Sequence, residues 1–207
     1  MVESKDNDAK VGILRLYIVR HGQTDYNLNG IFQGTSDIPL NENGIRQAEE
    51  IAGKLGDVAF TAAFHSPLDR AKVTCEKILD ARLQATTDER LREVYFGKWE
   101  GVHRDEIKSH WPEQFENYYS NIGDFHPPEG EALIDAQERV GGFYDLLREK
   151  HPEGDILIVG HQFINALLCT YITGQDIADA WDYRAQPGEV FIFEIDEDAI
   201  VARRIEE

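Results

Sequence analysis

Two nearly continuous apolar runs, each followed by a histidine, constrain the fold of this chain more than any other feature. Residues 13–19 read Ile-Leu-Arg-Leu-Tyr-Ile-Val and lie just ahead of His21, and residues 155–159 lie just ahead of His161. Strands that are apolar along their length are typical of parallel sheets, because helices cover both of their faces. Each run therefore predicts a buried strand with a histidine beyond its carboxyl end.

Strand and helix signals alternate along the rest of the chain. A short strand is predicted over 58–64, and a hairpin over 190–205 is expected to close one edge of the sheet. Ser66 and Pro67 provide an N-cap and a first-turn proline for the helix that follows them. The alternation predicts an α/β fold, a doubly wound and mostly parallel sheet with helices on both faces and a C-terminal edge hairpin. The predicted helices begin at Asn41 or Asn43, at Ser66, at Leu133 and at Phe163.

The 207 residues fit one domain. Residues 1–10 have the composition of a flexible leader, residues 11–207 form the predicted domain, and residues 100–130 are a less regular, lid-like insertion. Cys75 and Cys169 are expected to be reduced core thiols. No apolar run approaches the roughly 18 residues of a membrane span, which favours a cytoplasmic protein.

The net charge of −18 limits the partners that the chain can bind. Such a field repels nucleic acid phosphates and anionic membranes, so neither is an expected partner. A homo-oligomer remains compatible with the sequence. A small anion would have to bind at a local cationic site, because net charge governs solubility and steering rather than the chemistry of a site.

Arginines and histidines follow the predicted strands and supply such a site. Ligands of doubly wound sheets bind at the carboxyl ends of the strands, and this end gathers Arg20 with His21, Ser66 with Arg70, and His161. Guanidinium groups match phosphate oxygens, and an imidazole can act as a nucleophile or a donor near neutral pH. The residues therefore point to phosphoryl transfer.

Each group has an expected role in that chemistry. Arg20, Arg70 and one histidine would hold the phosphoryl oxygens, while the other histidine attacks phosphorus. A carboxylic acid such as Glu93 would protonate the leaving oxygen. No metal or other cofactor is expected, since the arginines take the electrostatic role. Glu100, Glu129 and Glu131 compete with Glu93 for the role of acid, and a zinc site from His21, His65 and His161 is disfavoured for lack of the usual ligand spacing.

Four motifs in order resemble those of the histidine phosphatase superfamily, which includes the cofactor-dependent phosphoglycerate mutases. The motifs are Arg20-His21-Gly22-Gln23-Thr24 with Asn27, Ser66-Pro67-Leu68-Asp69-Arg70-Ala71 with Thr74, Leu91-Arg92-Glu93 with Phe96-Gly97-Lys98-Trp99-Glu100-Gly101, and Val159-Gly160-His161. Gly34 and Ser36-Asp37-Ile38-Pro39-Leu40 also match. The resemblance implies that His21 is the phosphorylated residue, that His161 and the two arginines complete the catalytic group, and that Glu93 is the acid.

The resemblance also suggests which residues bind substrate. Arg20 and Arg70 are the first candidates, and Gly34 is a further one because it matches the family. Asn27 and Gln33 either contact the phosphate or substrate, or complete turns.

Departures from the family pattern bear on the substrate. Gln162 replaces the glycine that commonly follows the second histidine and is similar to the fructose-2,6-bisphosphatase branch, so we count it among the substrate-binding candidates. The segment 96–101 is more like the phosphatases, and residues 100–130 lack the Arg and Lys density with which mutases hold a second acidic group.

The sequence thus favours a metal-independent phosphatase that hydrolyses a small phosphorylated metabolite through a phosphohistidine. Two alternatives stay open. One is a phosphoglycerate mutase on the same scaffold, and the other is a non-catalytic phosphate-binding regulatory module.

Overall fold

A six-stranded sheet forms the centre of the computed structural model, which describes residues 12–197 and 199–205. The predicted leader, residues 1–10, lies outside the described residues. In chain order the strands are β1 (Leu14–Arg20), β2 (Ala62–His65), β3 (Thr86–Thr87), β4 (Gly154–Gly160), β5 (Val190–Ile195) and β6 (Ile200–Ile205). Their order across the sheet is β3-β2-β4-β1-β5-β6.

The first four strands in chain order run parallel, and β5 and β6 form the antiparallel edge hairpin. The helices are α1 (Asp25–Leu28), α2 (Glu42–Lys54), α3 (Asp69–Leu79), α4 (Arg104–His110), α5 (Pro112–Ser120), α6 (Leu133–Lys150) and α7 (Gln162–Thr173). Short 3-10 segments lie at Glu89–Leu91, Gly97–Trp99, Ile122–Asp124 and Ile177–Tyr183. None of the helices in the described ranges is both long and apolar enough to cross a bilayer.

Both faces of the central strands β1 and β4 are buried, as their continuous apolar runs predict. Leu16 and Ile18 of β1 point into a core with residues of α6 and α7, and Tyr17 and Val19 point into a second core with residues of α2 and α3. Successive side chains of a strand point to opposite faces, so one apolar run supplies both cores. The predicted doubly wound α/β fold with its C-terminal hairpin is confirmed.

The segment 100–130 contributes buried side chains to the main core. Ile107 of α4 and Phe115 and Tyr118 of α5 belong to the same apolar cluster as α6 and α7. Tyr118 contacts Phe163 of α7 with ring centroids 5.4 Å apart. The segment therefore has a fixed place over the carboxyl end of the sheet, while its action as a lid stays a prediction.

The helix predicted to begin at Ser66 and Pro67 begins later. Helix α3 starts at Asp69, and Leu68 stands at its N-cap without a side-chain hydrogen bond. The Ser66 hydroxyl instead accepts from the Leu68 N–H at 3.3 Å and lies 2.7 Å from Nε2 of His161. The prediction that Ser66 is the N-cap is therefore wrong, because its hydroxyl bonds to Leu68 and to His161, both outside the first turn of α3. Strand β2 is also shorter than predicted and ends one residue later, at His65.

Candidate active site

The carboxyl ends of β1, β2 and β4 meet at a cavity of about 280 Å³. Most of the residues that the sequence singled out line this cavity, namely Arg20, His21, Asn27, Gln33, Gly34, Arg70, Glu93 and Gln162. His161 stands behind them, fully buried and in contact with Arg70. Aromatic side chains from both sides of the sheet end complete the wall, namely Tyr26, Phe32, Phe96, Tyr118, Tyr119 and Phe163.

His21 follows β1 directly and is held in one tautomer. Its Nδ1 lies 2.6 Å from the carbonyl of Gly22, which can only accept, so Nδ1 carries the proton. Its Nε2 accepts from Nε of Arg70 at 3.3 Å. Burial, followed by the charges of Arg70 and Arg20, holds the pKa of His21 well below its usual value. The ring is therefore neutral, and its Nε2 is unprotonated and engaged by the hydrogen bond from Arg70.

Arg70 contacts both histidines and two carbonyls of the loop 34–36. As the second residue of α3 it is 1% exposed, and its Nε–H is shared between Nε2 of His21 and Nδ1 of His161, at 3.3 and 3.2 Å. Its Nη1 and Nη2 donate to the carbonyls of Ser36 and Gly34, each at 2.7 Å. Burial lowers the pKa of Arg70 to about 10, so the guanidinium remains charged at neutral pH.

His161 is oriented by two partners. Because Nδ1 accepts from Arg70, the proton of the neutral ring is on Nε2, which donates to the Ser66 hydroxyl at 2.7 Å. Burial and the charge of Arg70 hold the pKa of His161 well below its usual value. Its ring centroid lies 5.0 Å from that of His21. The two histidines are thus neutral neighbours joined through one guanidinium.

Arg20, the last residue of β1, lines the cavity beside His21. Its Nη1 donates to Gln162 at 2.8 Å and to the carbonyl of Ala185 at 2.6 Å, while its buried Nε has no partner among the described residues. Burial lowers the pKa of Arg20 to about 10, so it too stays charged at neutral pH. A buried N–H without a partner beside an anion cavity is free to donate to a ligand.

Glu93 accepts three backbone hydrogen bonds, two of them from the N-terminus of α7. Its Oε1 accepts from the N–H groups of Val94 at 3.0 Å and Ile164 at 3.1 Å, and its Oε2 accepts from Phe163 at 3.2 Å. Burial raises the pKa of Glu93, while these backbone N–H bonds and Arg70 lower it, and the net direction is upward. A carboxyl group with a raised pKa in a cavity wall can hold a proton for transfer.

The three competing carboxylates are engaged elsewhere. Glu100 accepts from the N–H of Thr35 at 2.7 Å and from the hydroxyl of Ser36 at 3.2 Å, which braces the loop whose carbonyls hold Arg70. Glu131 pairs with Arg139 at 2.9 Å, and Glu129 pairs with Lys98 at 2.6 Å. Glu93 is the only one of these four carboxyl groups that lines the cavity.

Asn27 and Gln33 both bond to Thr24 and line the cavity. Oδ1 of Asn27 accepts from the backbone N–H and the hydroxyl of Thr24, each at 3.1 Å. Oε1 of Gln33 accepts from the same hydroxyl at 2.7 Å. Gly34 adopts a left-handed φ of +50°, and a Cβ there would lie 2.0 Å from Oε1 of Glu100. The turn role is observed for Asn27, whereas Gln33 links two separate segments, and contact of either side chain with substrate stays a prediction.

Two glycines bring the loop that follows His21 against α2. A Cβ on Gly22 would lie 2.2 Å from the carbonyl oxygen of Gly44, and a Cβ on Gly44 would lie 2.1 Å from that of Gln23. The Gly22 N–H donates to the hydroxyl of Thr74 at 3.1 Å, which ties the loop to α3 as well. Contacts with α2 and α3 therefore fix the position of the loop that follows His21.

The cavity also contains groups that sequence reasoning did not select. Arg104 of α4 and Arg184, which follows the last 3-10 segment, both line it. Arg104 belongs to the segment 100–130, so that segment does bring a cation to the site. Arg184 follows no strand and sits in no motif, and the sequence contains no signal for it. His65 does not join the site and lies 2.7 Å from the carbonyl of Ser66.

Among the described residues no group of three His, Cys, Asp or Glu side chains is placed to hold a metal ion. The cavity can instead place a dianion between two buried guanidinium groups and beside a neutral imidazole. That arrangement suits an attack on a phosphoryl group, because the charges are fixed before the ligand arrives.

Comparisons with known proteins agree with the motifs and the fold. Residues 16–207 match the family described as the histidine phosphatase superfamily, branch 1. The chain is 32% identical over 179 residues to the adenosylcobalamin/alpha-ribazole phosphatase of Escherichia coli (strain K12), covering 84% of this chain and 87% of that one. It is 31% identical over 197 residues to the 2,3-bisphosphoglycerate-dependent phosphoglycerate mutase of Mesorhizobium japonicum, covering 91% and 96% of the two chains.

A solved structure gives the same result. The alpha-ribazole phosphatase from Shigella flexneri superposes with a TM-score of 0.84 at 30% identity, covering 92% of this chain and 95% of that one. Relatives of this chain are thus phosphatases and phosphoglycerate mutases, and the resemblance drawn from the four motifs is confirmed. The chain belongs to branch 1 of the histidine phosphatase superfamily.

Proposed function

We propose that this protein is a metal-independent phosphomonoesterase that hydrolyses a small phosphorylated metabolite through a phosphohistidine on His21. The observation that carries the proposal is the state of His21. Its Nδ1 proton is donated to the Gly22 carbonyl, and its unprotonated Nε2 accepts from Arg70 in a cavity that the buried Arg20 also lines. A nucleophile must be unprotonated at the attacking atom, and this ring is.

In the first step Nε2 of His21 attacks phosphorus and the bond from phosphorus to the leaving oxygen breaks. Arg20 and Arg70 stabilise the charge on the phosphoryl oxygens. The leaving oxygen takes the proton of Glu93, which becomes a carboxylate held by three backbone N–H groups. The ring of His21 becomes cationic, and its Nδ1–H bond to the Gly22 carbonyl gains strength from that charge.

In the second step water attacks the phosphohistidine and the bond between Nε2 and phosphorus breaks. The Glu93 carboxylate accepts the proton of the water, which restores the acid. His161 stays neutral throughout and holds Arg70 in place from the side of Ser66. Phosphate and alcohol are the products.

Trapping the phosphoryl-enzyme tests this proposal. Wild-type protein quenched in base during turnover of a labelled phosphomonoester should carry an acid-labile, base-stable label, and His21→Ala should carry none. His65→Ala is a matched control, because its imidazole lies outside the cavity lining. A label that survives in His21→Ala would contradict the proposal.

Phosphoglycerate mutase activity is a second candidate, favoured by the 31% identity to the mutase from Mesorhizobium japonicum. A mutase returns the phosphoryl group to a phosphoglycerate, whereas a phosphatase passes it to water. Incubation with 3-phosphoglycerate and a trace of 2,3-bisphosphoglycerate, which phosphorylates the histidine of a mutase, separates the two, because free phosphate indicates the phosphatase and 2-phosphoglycerate indicates the mutase. Binding of phosphate, with no 2-phosphoglycerate formed and no hydrolysis of any phosphomonoester including nitrophenyl phosphate, would indicate a non-catalytic module.

A further inference from the structure

Arg20 is held by one of its side-chain nitrogens, whereas Arg70 is held by all three. Among the described residues, Nη1 of Arg20 donates to Gln162 at 2.8 Å and to the carbonyl of Ala185 at 2.6 Å, and Nε has no partner. Nε and Nη2 form one edge of the guanidinium group, and such an edge can give two parallel hydrogen bonds to phosphoryl oxygens. The direction of this edge therefore depends on the two groups that bind Nη1.

The Ala185 carbonyl belongs to the segment 184–189, which joins the last 3-10 segment to β5. This segment runs beside the backbone of Arg20, whose N–H donates to the carbonyl of Glu189 at 3.2 Å and whose carbonyl accepts from Gly188 at 3.3 Å. A shift of the segment would therefore move the carbonyl that orients the Arg20 side chain.

Two charged side chains bind the segment 184–189 at both of its ends. Oε2 of Glu189 accepts from the N–H of Gln186 at 2.6 Å and also pairs with Nη2 of Arg204, which lies on the C-terminal strand β6. The same Nη2 donates to the carbonyl of Arg184 at 3.0 Å. One guanidinium group of β6 thus contacts the backbone of the first residue of the segment and the side chain of the last.

The neighbouring cation of β6 makes no such contacts. Arg203 pairs with Glu194 at 3.2 Å, and in the part of the chain that the structure describes neither of these side chains bonds to the segment 184–189. The guanidinium carbon of Arg204 lies 5.1 Å from the centre of the Phe191 ring, and Arg203 points to the other face of the strand. Both arginines are exposed and both have an acidic partner. The contacts with the segment are therefore what distinguishes Arg204.

We propose that Arg204 and Glu189 are positioning residues for phosphoryl transfer. They hold the segment 184–189, and through the Ala185 carbonyl they direct the free edge of Arg20 at the phosphoryl group. The C-terminal strand then contributes to the reaction from outside the cavity lining, in addition to closing the edge of the sheet. This inference rests on the proposed function, because it concerns the phosphate-binding arginine of the same site.

Arg204→Gln tests the proposal, and Arg203→Gln is the matched control. Each variant removes one exposed cation from β6 and breaks one ion pair with a glutamate, so both should fold. In Arg204→Gln the kcat/KM for nitrophenyl phosphate should fall about 10-fold, because a displacement of about 1 Å at a positioning group can cost up to about 100-fold. The Kd of inorganic phosphate, measured by calorimetry, should rise. Arg203→Gln should keep both wild-type values.

Glu189→Ala removes the other member of the pair, with Glu194→Ala as its control. It also decides the question if Arg204→Gln does not fold. A change of charge alone would act in opposite directions in Glu189→Ala and Arg204→Gln, since one variant removes an anion and the other a cation. Loss of positioning should lower kcat/KM and raise the phosphate Kd in both.

A double-mutant cycle shows whether the effect passes through Arg20. In an Arg20→Gln background, Arg204→Gln should cost little further kcat/KM, because the group that it positions is already absent. An equal loss in both backgrounds would overturn the inference. Wild-type values of kcat/KM and phosphate Kd in both Arg204→Gln and Glu189→Ala would also overturn it.

Phosphate binding separates this result from a failure of the proposed function. If the wild-type protein hydrolyses nitrophenyl phosphate and every single variant of the two ion pairs matches it, only the positioning inference is wrong. If no phosphomonoester is hydrolysed, the proposed function is wrong, and the phosphate Kd of the same variants decides the inference. Wild-type protein that neither hydrolyses a phosphomonoester nor binds phosphate would overturn both.

Discussion

Glutamine fits the position of Glu93 well enough to test the proton donor without unfolding the protein. Oε1 of Glu93 accepts two backbone N–H groups and Oε2 accepts one, so Oε2 is the oxygen left to carry the proton. A glutamine oxygen can keep the bonds from Val94 and Ile164, with its nitrogen in the place of Oε2. Glu93→Gln then loses only the bond from Phe163, which lowers the free energy of unfolding by about 1 kcal/mol.

The loss of activity should depend on the leaving group. A positioned general acid contributes roughly 10²- to 10⁴-fold, so Glu93→Gln should lower kcat/KM for glycerol 3-phosphate by about 10²-fold or more. Nitrophenolate leaves almost unaided, and its phosphate should lose less than about 10-fold. The measure is the ratio of mutant to wild-type kcat/KM on each substrate. The constant kcat/KM reports only the steps up to departure of the leaving group, so slow hydrolysis of the phosphohistidine does not affect it.

The same variant should accumulate phosphohistidine on nitrophenyl phosphate, since the base that activates water is also gone. Rapid mixing would detect this as a burst of nitrophenolate. Glu129→Gln is the matched control, because Glu129 is exposed, pairs with Lys98 and does not line the cavity. Equal losses on both substrates would refute the role of Glu93 and direct attention to Glu100 and Glu131.

Three further outcomes are expected. Arg70→Lys should lower kcat more than it raises KM for glycerol 3-phosphate, because lysine cannot span two carbonyls and two imidazoles; unchanged kcat with a raised KM would contradict this. The pKa values of His21 and His161 are lower in the folded protein than in the unfolded chain. The free energy of unfolding should therefore be highest above about pH 6.5 and should fall as the pH drops below that value, by up to about 1.4 kcal/mol per pH unit for each histidine. Urea titrations from pH 7 to 5.5 measure this slope, and it should be smaller in His21→Gln. The raised pKa of Glu93 changes the free energy of unfolding with pH in the opposite direction, but it does so equally in both proteins. Exhaustive chelation should leave turnover unchanged, because Arg20 and Arg70 provide the positive charge; inactivation that one metal reverses would contradict this.

Local patterns in the sequence predicted the sheet and the inner site well, because strands and the residues that follow them are encoded locally. Arg20, His21 and His161 follow strands whose apolar runs are unmistakable, and their convergence follows from the parallel arrangement. Arg70 follows β2 by five residues and joins them for the same reason. The lone carboxyl group of the cavity was harder to select, since Glu93 meets the N–H groups of α7 some 70 residues further along the chain.

Contacts between distant segments account for the rest. Ser66 has the sequence of a helix cap, but a tertiary partner, His161, takes its hydroxyl and α3 begins three residues later. Arg184 lies in an irregular segment with no periodicity, and only the folded chain brings it to the cavity. Helix propensity and apolar spacing describe only a few neighbouring residues, so they do not predict contacts between segments that are distant in the sequence.

The contact between Gly22 and Gly44 has a consequence for how sequence variation in this protein is interpreted. Gly44 lies in the first turn of α2 and does not line the cavity, yet any side chain there would clash with the backbone of Gln23, two residues after His21. An alanine at either position meets main-chain atoms, which no rotamer change can relieve. A loss of activity at Gly44 is therefore a displacement of His21, and libraries that aim to alter substrate choice should leave both glycines untouched.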